Sequence, residues 1–173
     1  MRRLLAMIFM WILFSSMLVA EKAYTVLVTI DRAALTCTVR YLPFPHAVED
    51  GSILGYTFPV LIGLKINNGG LTCTPAGKFR VTYKSKNPLY HDVTPGAEII
   101  QPYLKDKRNK YGTRIIGLSY RRPGATRGLS IHGTNEPELI PGFGSNMCVR
   151  LLNADVEILY DLLHVGDEVE IVN

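Results

Sequence analysis

From Tyr24 onward, apolar and polar positions alternate at the spacing of strands. Tyr24-Thr25-Val26-Leu27-Val28-Thr29-Ile30 is rich in β-branched and aromatic residues and predicts a first strand, with Asp31-Arg32 as its turn. Leu35 to Leu42 predicts a second, ended by Pro43 and Pro45, which lack the N–H that a ladder needs. Tyr56 to Leu64 is a third apolar run. Thr74-Pro75-Ala76-Gly77 fits a type I turn that feeds a strand from Phe79 to Tyr83. Thr113 to Leu118 and Gly128 to Ile131 read as two more, the second delivering His132 at its end. Between them, residues 85–110 are punctuated by Pro88, Pro95, Gly96 and Pro102, which predicts a loop or lid rather than a helix.

The apolar spacing changes once, after Cys148. Val156, Leu159, Tyr160 and Leu163 recur at helical intervals, with Asn153 placed to cap, Asp155 and Glu157 in the first turn, and Gly166 as a stop. Glu168 to Val172 then predicts a last strand. Many strands and one good helix make residues 24–172 a single, mainly β domain, a mixed sandwich or barrel with short helical pieces besides.

The pattern before Tyr24 is of another kind. Arg2-Arg3 form a positive head, Leu4 to Val19 is apolar apart from Ser15 and Ser16, and Ala20 suits a cleavage point. We read residues 1–20 as an export signal; the alternative is a retained anchor, since the run approaches the about 18–20 residues that span a bilayer. Both readings put the domain outside the cytoplasm, with any membrane contact made through that segment. Losing Arg2 and Arg3 reduces the formal charge from +4 to +2, too little to argue for a nucleic-acid partner. Eight basic residues and one acidic residue fall between Lys105 and Arg127, either as a solvated loop surface or as a rim that attracts an anionic polymer.

Three cysteines in an exported chain leave at least one thiol unpaired within the molecule. Cys37 and Cys73 are either a bridge or two small buried hydrophobes. Cys148 follows a loop rich in Gly and Pro that begins at His132. A thiolate nucleophile needs a base within hydrogen-bond reach and donors for the oxyanion that follows, so His132 and Cys148 are the candidate reacting pair. His46, His91 and His164 lack the short paired spacings of zinc sites, and Ser145 has glycine on one side only, unlike a serine-hydrolase elbow. Neither a metal nor another cofactor is expected.

Four motifs, in order, resemble the L,D-transpeptidase family of bacterial cell-wall enzymes, the YkuD-type catalytic domain. Thr74-Pro75-Ala76-Gly77-Lys78-Phe79 is similar to its Thr-Pro-x-Gly-x-Phe turn, and Gly112-Thr113-Arg114-Ile115-Ile116-Gly117-Leu118 to its Gly-Thr-Arg-aromatic-Ile-Gly-Leu segment, with Ile115 at the aromatic position. Ile131-His132-Gly133-Thr134 matches its His-Gly element, and Ser145 to Arg150 resembles its Ser-x-Gly-Cys-Ile-Arg signature. The resemblance implies that Cys148 attacks the amide before the terminal D-alanine of a peptidoglycan stem peptide. It further implies that His132 is the base, oriented by the carbonyl of Gly133, with the N–H groups of Met147 and Cys148 as oxyanion hole. Arg150, Ser145, Asn146 and Arg114 would meet substrate, Arg150 alternatively serving as a structural ion pair. Carbapenem β-lactams would acylate the thiol. An L,D-carboxypeptidase using water as acceptor, or a wall-peptide-binding module without turnover, are the alternatives.

One position departs from the family pattern, with Met147 where glycine usually precedes the cysteine. Either the backbone there has positive φ and the methionine is strained, or the backbone is ordinary and the side chain lines the pocket. The second is the expectation adopted here.

Overall fold

The computed structural model describes residues 24–43, 55–63, 73–91, 96–121 and 128–173. The predicted leader, residues 1–20, lies outside them. Among the described residues, ten strands form one continuous mixed sheet. At one edge, β1 (Tyr24–Asp31) and β2 (Thr36–Pro43) pair antiparallel along their whole length, and β3 (Gly55–Pro59) extends them. The Asp31 carboxylate closes the β1–β2 turn by accepting from the N–H groups of Ala33 and Ala34 at 2.9 and 2.8 Å. On the other side of β1 lies β12 (Glu168–Val172), paired parallel to it and matching the predicted last strand.

The long strand β5 (Gly77–Lys86) joins two halves of the sheet. Its first residues pair with β12, and the rest, past an irregularity between Val81 and Tyr83, pair with β8 (Arg114–Leu118). Short strands continue outward from β8: β9 (Ser130–His132), β11 (Val149–Arg150), β4 (Leu61–Ile62) and β10 (Gly142–Phe143). The third apolar run of the sequence is therefore split between β3 and β4, because Pro59 ends the first ladder. The stretch read as a bare loop also holds a small ladder, β6 (Tyr90–His91) against β7 (Ile99–Ile100).

Helix α1 (Asn153–Leu162) lies across β8 and β9, with Val156 and Leu159 fully buried. The core runs unbroken through both halves, including Val28, Ile30 and Val39 on one side and Ile131, Val149 and Leu151 on the other. Each such side chain contributes about 1.5–3 kcal/mol on leaving water. Two expectations about α1 are corrected. Asn153 is not its cap but its first residue, and its carboxamide is used elsewhere. Asp155 does lie in the first turn, where partial burial raises its pKa, but Glu157 falls beyond it. The three thiols are free: Cys37 is wholly buried, and burial pushes it up to about 12, while Cys73 lies beside the Arg32 guanidinium.

Candidate active site

Strands β9 and β11 run parallel, with Ile131 opposite Val149 and His132 opposite Arg150. Alternation along β9 sends Ile131 to one face and Ser130 and His132 to the other. Ile131 and Val149 are fully buried in the core. Cys148, one residue before β11, is level with Ser130, and its Sγ lies 3.3 Å from the Ser130 hydroxyl and 4.0 Å from the Gly128 carbonyl. The apolar alternation of the two strands thus decides which face receives the cysteine and the histidine.

His132 is nearly buried, and its Nδ1 lies 2.7 Å from the Gly133 carbonyl oxygen. A carbonyl only accepts, so Nδ1 carries the proton and the neutral ring keeps its lone pair on Nε2. That is the tautomer a general base requires. Tyr111 packs edge-on against the imidazole at 5.2 Å between ring centres, and Tyr90 packs the same way on Tyr111 at 5.0 Å. The β6–β7 segment therefore reaches the histidine through two aromatic rings.

The cysteine loop overturns the expectation for Met147. Its φ is +88°, in the left-handed region, so the family's glycine marks a backbone conformation rather than a need for space. Holding a β-carbon there costs about 1–2 kcal/mol. The side chain is buried with the main apolar cluster, and that burial offsets the strain. Thr74, fully buried, accepts from the Gly63 N–H at 2.8 Å and donates to the Met147 carbonyl at 2.8 Å. Since C=O and N–H of one trans peptide point in opposite directions, Thr74 also fixes the direction of the Cys148 N–H.

The remaining candidates divide. Asn146 is exposed on the cysteine loop. Ser145 is buried, and its hydroxyl donates to the Cys148 carbonyl, so it shapes the loop instead of facing substrate. Arg114 turns away: its guanidinium meets the Thr113 carbonyl at 2.8 Å, Glu157 at 3.5 Å and the face of Tyr160. Arg150 has the ion pair that was its alternative, Nη1 lying 2.8 Å from Glu136 Oε2. Of the basic run, Arg108 is neutralised by Asp106 and Glu98, and Lys107 sits over Tyr103. Sequence reasoning missed Ser130, Tyr111, Glu136 and the bracing role of Thr74. Ser130 was legible as the residue two before His132 on a strand; the others depend on contacts far apart in sequence.

The site thus holds a thiol and an imidazole of defined tautomer on neighbouring strands, with a fixed amide beside the sulfur. The sequence signature of the YkuD family, the L,D-transpeptidase catalytic domain, matches residues 28–171, and the chain belongs to that family. A Bacillus subtilis (strain 168) protein named "Putative L,D-transpeptidase YqjB" is 36% identical over 100 residues, covering 58% of this chain and 52% of its own. The chain thus spans about half the length of that relative. Among solved structures, L,D-transpeptidase 1 of Mycobacterium tuberculosis matches with a TM-score of 0.52 at 18% identity, covering 87% of this chain and 62% of that one. L,D-transpeptidase 3 of the same organism, in complex with a faropenem-derived adduct, matches with a TM-score of 0.59 at 19% identity, over 87% and 61% of the two chains. These structures share the fold.

Proposed function

We propose that the chain is an exported peptidoglycan L,D-transpeptidase with Cys148 as nucleophile and His132 as base. The observation that supports it most is the Nδ1 contact of His132 with Gly133, which leaves Nε2 able to take a proton on the face that carries the cysteine. In this reading the thiol proton passes to Nε2 as sulfur attacks the carbonyl carbon that precedes the terminal D-alanine. The oxyanion is met by the N–H groups of Cys148 and Met147. Its collapse breaks the C–N bond, and the imidazolium returns the proton to the departing D-alanine amine. A side-chain amine of a second stem then attacks the thioester, gives up its proton through His132 and releases the thiol.

The positive φ of Met147 does not count against turnover, because its carbonyl is anchored by Thr74 and the amide that follows is held in place. The test is incubation of the protein with a tetrapeptide-bearing disaccharide, with released D-alanine and products followed by mass. Cross-linked dimer with equimolar D-alanine is expected. D-alanine with tripeptide alone would identify a carboxypeptidase, and neither product, with stem peptide bound, a binding module.

A further inference from the structure

Asn153 lies five residues after the cysteine, yet its carboxamide is spent on the histidine strand. Its Oδ1 accepts from the N–H groups of Thr134 and Thr113, each at 3.2 Å, and its Nδ2 donates to the Thr134 carbonyl at 2.9 Å. The slot is built for it. A β-carbon on Gly133 would stand 2.1 Å from Oδ1, and one on Gly112, whose φ is +64°, would stand 2.0 Å from it. Both glycines leave room for a group arriving from another element.

The consequence lies in the peptide between Gly133 and Thr134. Its N–H is held by Asn153, and its C=O, pointing the opposite way, accepts from His132 Nδ1. The backbone on the near side is fixed separately, the His132 carbonyl accepting from the Leu151 N–H at 3.0 Å and the Gly133 N–H donating to Arg114 at 3.2 Å. Those bonds leave the rotation of the Gly133–Thr134 peptide to Asn153. We propose that Asn153 is a positioning residue that sets the ring orientation and tautomer of His132 through this peptide, tying the base to the segment that carries Cys148. The proposal rests on the reading of His132 as the base, and it deepens that reading.

The test uses the full chain with ¹⁵N-labelled histidine, the His132 signals being assigned by their loss in His132→Gln. In the native protein the Nδ1 proton of His132 is expected to exchange slowly and to be visible. Asn153→Ala removes both the acceptor and the donor; Asn153→Ser, suited to a helix start but too short to reach, does the same if the alanine variant fails to fold. Either is expected to lose the Nδ1 proton signal and to lower kcat by about 10- to 100-fold with KM within about twofold. Asn153→Asp keeps an oxygen for the Thr134 N–H and is expected to restore the signal and to bring kcat within about threefold of native. A folded Ala or Ser variant with the signal and kcat unchanged overturns the proposal, as does an Asp variant no better than Ala. If the native protein turns over no stem peptide, the enzymatic reading fails, while the ring signal still decides the positioning role.

Discussion

The two halves of the sheet are held in shape by different means. Strands β1 and β2 are each eight residues long and pair at every position, so the backbone satisfies itself, and the described inward side chains, Val26, Val28, Ile30, Cys37 and Val39, are apolar. Around the site, β4 and β11 have two residues each and β9 has three. Ladders that short leave carbonyls and N–H groups to be met by side chains. Thr74, Ser145 and Asn153 meet them, and among the described residues the buried polar side chains, Thr74, Asn109, Thr113, Ser130, His132, Thr134 and Ser145, lie on none of β1, β2, β3 and β12. Regular pairing fixes a sheet, but it cannot aim a single amide or ring. The half that must aim gives up ladder bonds for side-chain braces of defined direction.

Substitutions should sort by half. Cys148→Ala is expected to lower cross-linking by about 1,000-fold or more while leaving Tm within about 3 °C, as measured by product mass and thermal unfolding. Thr74→Val keeps the shape but leaves the Gly63 N–H and Met147 carbonyl without this partner; we expect about 2 kcal/mol of lost stability and a kcat about 10- to 100-fold lower. Val28→Ala, on β1, should cost a similar 2 kcal/mol or so through its cavity and yet leave kcat of the folded protein unchanged. If Thr74→Val and Val28→Ala had equal effects on kcat, the division between the halves would fail.

Met147→Gly sharpens the contrast inside the site half. Glycine relieves the left-handed backbone but removes a buried side chain, so the net expectation is a loss of about 1–3 kcal/mol in denaturant titration. Turnover per folded molecule should stay within about threefold, since the side chain points into the core and Thr74 still holds the carbonyl. The last effect belongs to the regular half and is nil at neutral pH. Cys37 in the folded state is raised to about 12 by burial, from an ordinary 9.0. The unfolded chain therefore ionises first: the contribution is intact below pH 9 and is lost as pH climbs toward 12, by up to about 1.4 kcal/mol per unit. Cys37→Ala should flatten that alkaline slope in urea titrations, and an unchanged slope would assign it to other groups.

The sequence reveals the regular half better than the site half, for a physical reason. Period-two alternation is a local signal, so β1, β2 and β12 were legible nearly to the residue. The pairs Gly142-Phe143 and Val149-Arg150 are too short for a period, and they become strands only because neighbours from distant segments reach them. His132 and Cys148 could be picked out because a histidine and a cysteine flanking a Gly- and Pro-rich loop are legible from residue type alone. Asn153 was legible as a residue suited to a helix start, but its hydrogen bonds run to Thr113 and Thr134, which no local pattern encodes. Met147 was misjudged because its φ is set by the packed loop and the Thr74 anchor, both long-range.

The central claim, a nucleophilic Cys148 served by His132, is tested most directly by intact mass after incubation with a carbapenem, followed by peptide mapping. The account predicts one drug equivalent per chain, attached at Cys148 and absent in Cys148→Ala, and formed more slowly in His132→Ala. A folded protein that takes up no adduct, or takes it up at Cys73 instead, would contradict it.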